Sequence, residues 1–356
     1  MTGAELLHRR LANQYLVGPT ARAPVNVVRR LGAVQAQDYP GARWAIAQRC
    51  GDVTAADIDA LLEKGRLLRT HVLRPTWHIV LPEDIRWMLR LTGPRIVAAM
   101  AGRHRQLGLD ASLVRRGEAA VYRALADGPL TRPEIAAACK GAGLDLRGER
   151  LGHLLGLAEV NEVIVSGGKK GKQQTHMRLD DRVPQLHGFK REDALTEIAR
   201  RYFVGHAPAR DVDLAWWAGL TLTDARHAIA GAGLRAFDVG GKTFWQGARK
   251  VAALEGPVVH LLPNYDEYDV AYQDHQPNQH DIVAARPRAV GALVPHIVAI
   301  DGVVTGGWRR TLGAKGIHIK VSLVRKLNRT ERAALENAAL AYGRHLGDLP
   351  VTVSGG

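Results

Sequence analysis

Two glutamines, Gln35 and Gln37, stand on either side of Ala36 in LGAVQAQDYPGARW, residues 31–44, and Asp38-Tyr39-Pro40 follow at once. An amide side chain neither titrates nor attacks. Chemistry on this pair would have to come from oriented dipoles that hold a water or a developing charge. Residues two apart share a side of an extended segment and lie on opposite sides of a helix. Pro40 biases Tyr39 toward extended backbone and disfavours helix beyond it. Gln35 is therefore expected in a last helical turn and Gln37 where the chain straightens, with both amides facing one cleft. The plainer alternative has Gln35 capping loose carbonyls and Gln37 in solvent. Asp38 would add a negative field if it faced the same cleft.

A second constellation lies in RTHVLRPTWHIVLPED, residues 69–84, which gathers Arg74, Thr76, Trp77 and His78 around a proline turn. Histidine can hold a proton near neutral pH. On an extended strand Thr76 and His78 share a face and Trp77 takes the other, so Trp77 reads as core and His78 as a support for the site. The acids of NYDEYD, Asp266, Glu267 and Asp269, invite a metal-nuclease reading. Hard cations need carboxylates that converge, whereas successive strand positions diverge, and the following HQPNQHD adds His275 and His280 without a ligand frame. The segment reads as structural. Only Cys50 and Cys139 occur, without zinc spacing, and no glycine-rich phosphate loop is present. No metal or cofactor is expected.

The elements that must position these residues repeat. Leu6, Leu7, Leu11 and Leu16 have helical spacing; Pro24 opens a second helix through Val28, Leu31 and Val34; Thr54 caps a short third over TAADIDALLEKG. Two β-like runs, LLRTHVL and TWHIVL, follow. That order is a winged helix-turn-helix, expected over residues 1–110. It returns over 111–188, ending in VIVSGGKKGKQQTHMRL, whose Gly-Lys tip reads as a basic wing. A third unit begins at 189 and ends its hairpin around Gly240-Gly241. The C-terminal part, to 356, adds a hairpin at Asp301-Gly302, an alternating strand over IHIKVSLVRKL, an amphipathic helix and a last short strand. The expected fold is α+β and mainly helical: three tandem winged helices with a small C-terminal α+β extension, packed as a monomer.

Forty-nine Lys plus Arg against thirty-five Asp plus Glu give the 356-residue chain a formal charge of +14. Such a surface favours polyanions, nucleic acid first, although an arginine-rich composition alone would produce part of it. Lys169, Lys170 and Lys172 of the wing, Arg74, and Arg309, Arg310 and Lys315 near the end are the expected phosphate contacts. No run spans a membrane, no signal peptide precedes the first helix, and a reduced, cytoplasmic, nucleoid-associated protein is expected. A DNA-binding transcription regulator without catalysis stays open on these grounds, although nothing looks like a ligand-sensing domain.

Four segments in order resemble one family. Gln35-Ala36-Gln37, RPTWH at 74–78, LLPNYDEYDVAYQDH at 261–275 and GGWRRTL at 306–312 are similar to segments of the AlkZ-like winged-helix DNA glycosylases, over nearly the whole chain. The resemblance implies that Gln35 and Gln37 are catalytic; Asp38, which the family's pattern does not require, Thr76 and His78 are candidate supports beside them. It implies hydrolysis of the N-glycosidic bond of purines made cationic by alkylation at N7 or N3. It also implies an open cleft that accepts bulky adducts and azinomycin-type interstrand crosslinks. Alkylation does the work of a general acid, which is why neutral amides can suffice. No lysine lies near Gln35 in sequence, so a monofunctional enzyme that leaves an abasic site is expected.

Overall fold

The computed structural model describes residues 1–247, 256–275, 277–279, 296–313 and 316–355. After α1 (Gly3–Asn13) come α2 (Pro24–Leu31), β1 (Val34–Gln35), α3 (Tyr39–Ala47), α4 (Ala55–Glu63), β2 (Leu68–His71) and β3 (Trp77–Val80), with the strands ordered β1-β3-β2. Helix α3 corrects the sequence expectation. The first-turn N–H groups of a helix have no internal partner, so Pro40 can open one as readily as it ends one. Asp38 is the N-cap, its carboxylate accepting from Gly41 N at 3.3 Å. The three helices of this unit are therefore α2, α3 and α4. Helix α1 lies outside it, packing Leu11 with Leu262, Tyr268 and Ala299, and Leu6 and Leu7 with Phe244.

The long helix α5 (Pro82–Gln106) leads to α6 (Ala111–Ala124), β4 (Leu130–Thr131), α7 (Arg132–Gly141), α8 (Gly148–Val160), β5 (Ile164–Lys170) and β6 (Gln173–Arg178). The element order of the first unit recurs, with the short strand again beside the last one, β4-β6-β5. It recurs once more in α9 (Arg191–His206), α10 (Asp211–Ala218), α11 (Leu222–Gly231) and the hairpin β7 (Arg235–Val239) and β8 (Lys242–Gln246). Here a single bridge, Ala209 to Trp245, replaces the short edge strand.

The C-terminal strands β9 (Val259–Leu262), β10 (Ile297–Ile300), β11 (Val303–Gly313), β12 (Gly316–Leu323) and β13 (Val351–Ser354) form one sheet, ordered β13-β12-β11-β10-β9. Along β12, Ile317, Ile319 and Val321 are buried while His318 and Lys320 are exposed, the alternation of a half-covered strand. The helix Arg329–His345, opened by a capping box at Asn328, covers the buried face. Trp44 of α3 enters the same core. Its ring lies 5.1 Å from Tyr342, which lies 5.2 Å from Trp308, and its indole donates to Leu261 O at 2.6 Å. A large side chain fully buried this way contributes roughly 1.5–3 kcal/mol, so the helix that follows the glutamine pair is fixed to the C-terminal sheet. Another core joins Leu68 and Val80 of the first unit to Tyr202, Trp217 and Tyr272. Among the described residues no helix is long and apolar enough to cross a membrane.

Candidate active site

Helix α2 stops at Leu31 because Gly32 takes φ +76°. The chain then extends, so Gln35 sits on a strand and not in a helical turn. Val34 pairs with Ile79 and Gln35 with His78, and Ala36 N donates to Trp77 O at 2.7 Å. Val34 and Ala36 point into the first unit's core. Arg69 fixes the backbone between the glutamines, donating through Nε and Nη2 to Ala36 O at 3.2 and 3.0 Å. Gln35 is buried, and Gln37, two residues later, is exposed. The pair thus runs from the interior to the surface across a single intervening residue.

Gln35 is held at both ends. Its backbone N–H donates to Glu267 Oε1 at 2.8 Å, and its side-chain Oε1 accepts from Arg74 Nη2 at 3.2 Å. Consecutive tryptophans of α10 contact the two groups that hold it. Trp217 is buried and donates from Nε1 to Glu267 Oε2 at 3.0 Å. Trp216 is 45% exposed, carries the Arg74 guanidinium 5.2 Å from its ring centroid, and donates to Val270 O at 3.0 Å. Gly219, at φ +63°, ends α10 so close to the 72–76 turn that any Cβ there would meet Leu73 O. Only glycine allows this approach.

Charge in the site is mostly fixed. Burial works to raise the Glu267 pKa, but His206, at 3.3 Å, and the Gln35 amide outweigh it, leaving the carboxyl below its ordinary range. Burial and the neighbouring Arg74 push His78 down to about 3. Its Nδ1 lies 3.0 Å from Thr76 O. A carbonyl only accepts, so the neutral ring carries its proton on Nδ1 and leaves the Nε2 lone pair bare. Neither His78 Nε2 nor Thr76 Oγ1 has a hydrogen-bond partner among the described residues. Two polar atoms without partners thus lie beside Gln35 on the neighbouring strand and its entry turn. The arrangement offers one oriented amide, a second amide open to solvent, a fixed carboxylate and a fixed cation. Dipoles and held charges are what it can use.

The acids of NYDEYD disperse to separate partners. Asp266 takes both terminal nitrogens of Arg49, at 2.9 and 2.7 Å, in a fully buried pair. Glu267 goes to Gln35. Asp269 faces Gln279, at 3.0 Å, and His275, at 3.3 Å. Asp38 caps α3. In the wing, Lys169 is 2.8 Å from Asp59 and Lys170 pairs with Glu134, while Lys172 is exposed. Arg309 is exposed on β11, and Arg310 points back to His296 Nε2 at 3.3 Å. Lys315 and His280 lie outside the described residues. A cleft of about 320 Å³ between α5 and α8 is lined by His71, Trp77, Met100, His104, Arg132 and His153, and by neither glutamine. Trp77 is half-buried and packs 4.3 Å from the His71 ring, while His78, beside it, is fully buried.

Sequence reasoning missed Glu267, Trp216 and Trp217 as neighbours of Gln35. The signals were present: two acids between tyrosines in NYDEYD, and two adjacent tryptophans on the helix that begins at Asp211.

The family profile described as DNA glycosylase AlkZ-like matches residues 28–345. Among solved structures, the Streptomyces sahachiroi DNA glycosylase AlkZ superposes with a TM-score of 0.80 at 19% sequence identity, covering 99% of this chain and 100% of that one. No curated protein sequence matches the chain.

Proposed function

The chain belongs to the AlkZ-like DNA glycosylase family, and from that premise we propose that it excises alkylated, cationic purines from duplex DNA by hydrolysing the N-glycosidic bond. The observation that carries this reading is the hold on Gln35 by Glu267 and Arg74, with Gln37 exposed two residues on. A purine alkylated at N7 or N3 already carries the positive charge that a general acid would otherwise supply. The enzyme has then to seat a water at the sugar carbon and favour the developing oxocarbenium charge. Gln37 reaches solvent, where substrate arrives, and is assigned the water. Gln35 supplies the second carbonyl dipole. Buried Glu267 adds a negative charge in a low-dielectric surrounding, where it acts far more strongly than in water. Thr76 and His78 support the pair, and Asp38 acts by capping α3.

Each of the three repeats reads as a winged helix, and the charge of +14 as the footprint of the DNA backbone. Lys172 and Arg309 are exposed contacts, joined by Lys169, Lys170 and Arg310 when phosphates compete for their present partners, and by Lys315. A site open at Gln37 suits bulky adducts and interstrand crosslinks of azinomycin type, because a base tied to both strands cannot swing into a closed pocket. Lyase chemistry needs a free amine at the reacting sugar. No lysine lies near Gln35 in sequence, and the product read here is an abasic site on an intact strand. The test compares duplexes carrying N7-methylguanine and uracil. Release of the cationic base alone, with strands that break only after alkali, supports the proposal; equal release of uracil contradicts it.

A further inference from the structure

Trp216 is the aromatic among the exposed large hydrophobic side chains of the described residues. Its neighbour Trp217 is fully buried, yet Trp216 on the same helix leaves 45% of its surface in solvent. Tryptophan is enriched at interaction surfaces relative to the rest of a protein's surface. This one is also fixed in place. Its indole N–H is bonded to Val270 O at 3.0 Å, and the Arg74 guanidinium lies 5.2 Å from the ring centroid. The same guanidinium reaches Gln35 Oε1 at 3.2 Å, so one side chain separates the exposed ring from the candidate catalytic amide. With one face given to Arg74 and the N–H edge bonded, the remaining indole surface is rigid, apolar and open at the margin of the site.

We propose that Trp216 is a stacking platform for a base unstacked at the lesion, and so a determinant of lesion preference. A base released from its neighbours loses stacking on one or both faces, and an aromatic side chain restores it without regard to sequence. Arg74 contributes from the other side of the ring, since a cation over an indole is itself attracted to it and holds the ring's orientation. Intact duplex offers no free face and gains nothing from the platform. This inference rests on the reading that damaged DNA is bound at Gln35 and Gln37.

The test measures affinity for two duplexes, one intact and one holding a tetrahydrofuran abasic-site analogue opposite an unpaired base. Trp216→Ala, Trp216→Leu and Trp216→Phe are compared with wild type. Leucine keeps apolar cover over Arg74 but has no π face. Stacking predicts that alanine and leucine weaken binding to the abasic duplex by about fivefold or more while phenylalanine retains most of it, with little change on intact DNA. Leucine binding like wild type, phenylalanine failing like alanine, or an equal loss on both duplexes would each overturn the proposal. Full base release by Gln37→Ala would remove the catalytic reading of the site and leave these affinities unaltered, so the two failures are separable.

Discussion

The backbone N–H of Gln35 donates at 2.8 Å to a carboxylate 232 residues further along the chain, that of the fully buried Glu267. The bond ties the short strand β1 to the start of the C-terminal α+β region, with Trp217 completing the carboxylate's coordination. Removing the carboxylate in Glu267→Ala strands both donors in a dry interior and is expected to cost roughly 3–5 kcal/mol, seen as a large fall in Tm. Glu267→Gln keeps an acceptor and the shape. It should fold, bind duplex as wild type does, and turn over more slowly because the fixed charge is gone. Unchanged turnover in Glu267→Gln would show that the charge plays no part.

Gln35 and Gln37 should separate in stability as well as in rate. Truncating buried Gln35 leaves the Arg74 guanidinium without its acceptor, so Gln35→Ala should lose about 1–3 kcal/mol along with most activity. Among the described residues, the exposed Gln37 side chain makes no hydrogen bond that truncation would strand. Gln37→Ala should unfold within about 0.5 kcal/mol of wild type by denaturant titration while losing more turnover than any other single change at the site. Equal destabilisation by both substitutions would contradict this division.

Arg49 holds Asp266, and through it the segment that carries Glu267. The guanidinium also donates to Ala45 O and Gln14 Oε1, at 2.7 and 2.9 Å, so every contact is buried. Arg49→Ala should destabilise by roughly 3–5 kcal/mol, because an unpaired carboxylate remains inside. The double replacement Arg49→Met with Asp266→Leu should recover much of that loss. Thermal unfolding of the two variants decides it.

Acid should weaken the fold in two stages. Burial depresses His78 to about 3 and His345 to about 4, and lowers His176 and His260 as well. A histidine held below its unfolded value of about 6.5 is neutral when folded and takes up a proton on unfolding, so its contribution is whole above that pH and lost as pH falls through it. Glu159 and Glu267, lowered by their partners, keep their contributions until pH drops below the ordinary carboxylate range. Tm should therefore begin to fall from about pH 6.5 downward and steepen below about pH 4.5. A flat Tm from pH 7.5 to 5 would contradict the histidine assignments.

How legible this was in the sequence depended on the range of the interaction. The C-terminal sheet could be read because alternation in IHIKVSLV and the Asp301-Gly302 turn are local signals, and β10 and β11 do turn there. Helix α3 was missed because a proline after an extended residue is ambiguous: the same Pro40 that could end a helix begins one once Asp38 caps it. The α1 periodicity was real, but nothing local says that Leu6, Leu7 and Leu11 pack against residues more than two hundred positions away. The acids of NYDEYD were expected to be structural, and Asp266 is. Glu267 became part of the site only through a partner no local pattern names.

Base release tests the central claim most directly. Duplex DNA carrying N7-methylguanine is incubated with the wild-type chain and with Gln37→Ala, and free base is separated by chromatography. The account predicts release by the wild type and almost none by the variant, with both proteins folded and equal in affinity for intact duplex. Equal release by the two would contradict the assignment of the glutamine pair, and tight duplex binding without release by either would contradict the excision of N7-methylguanine.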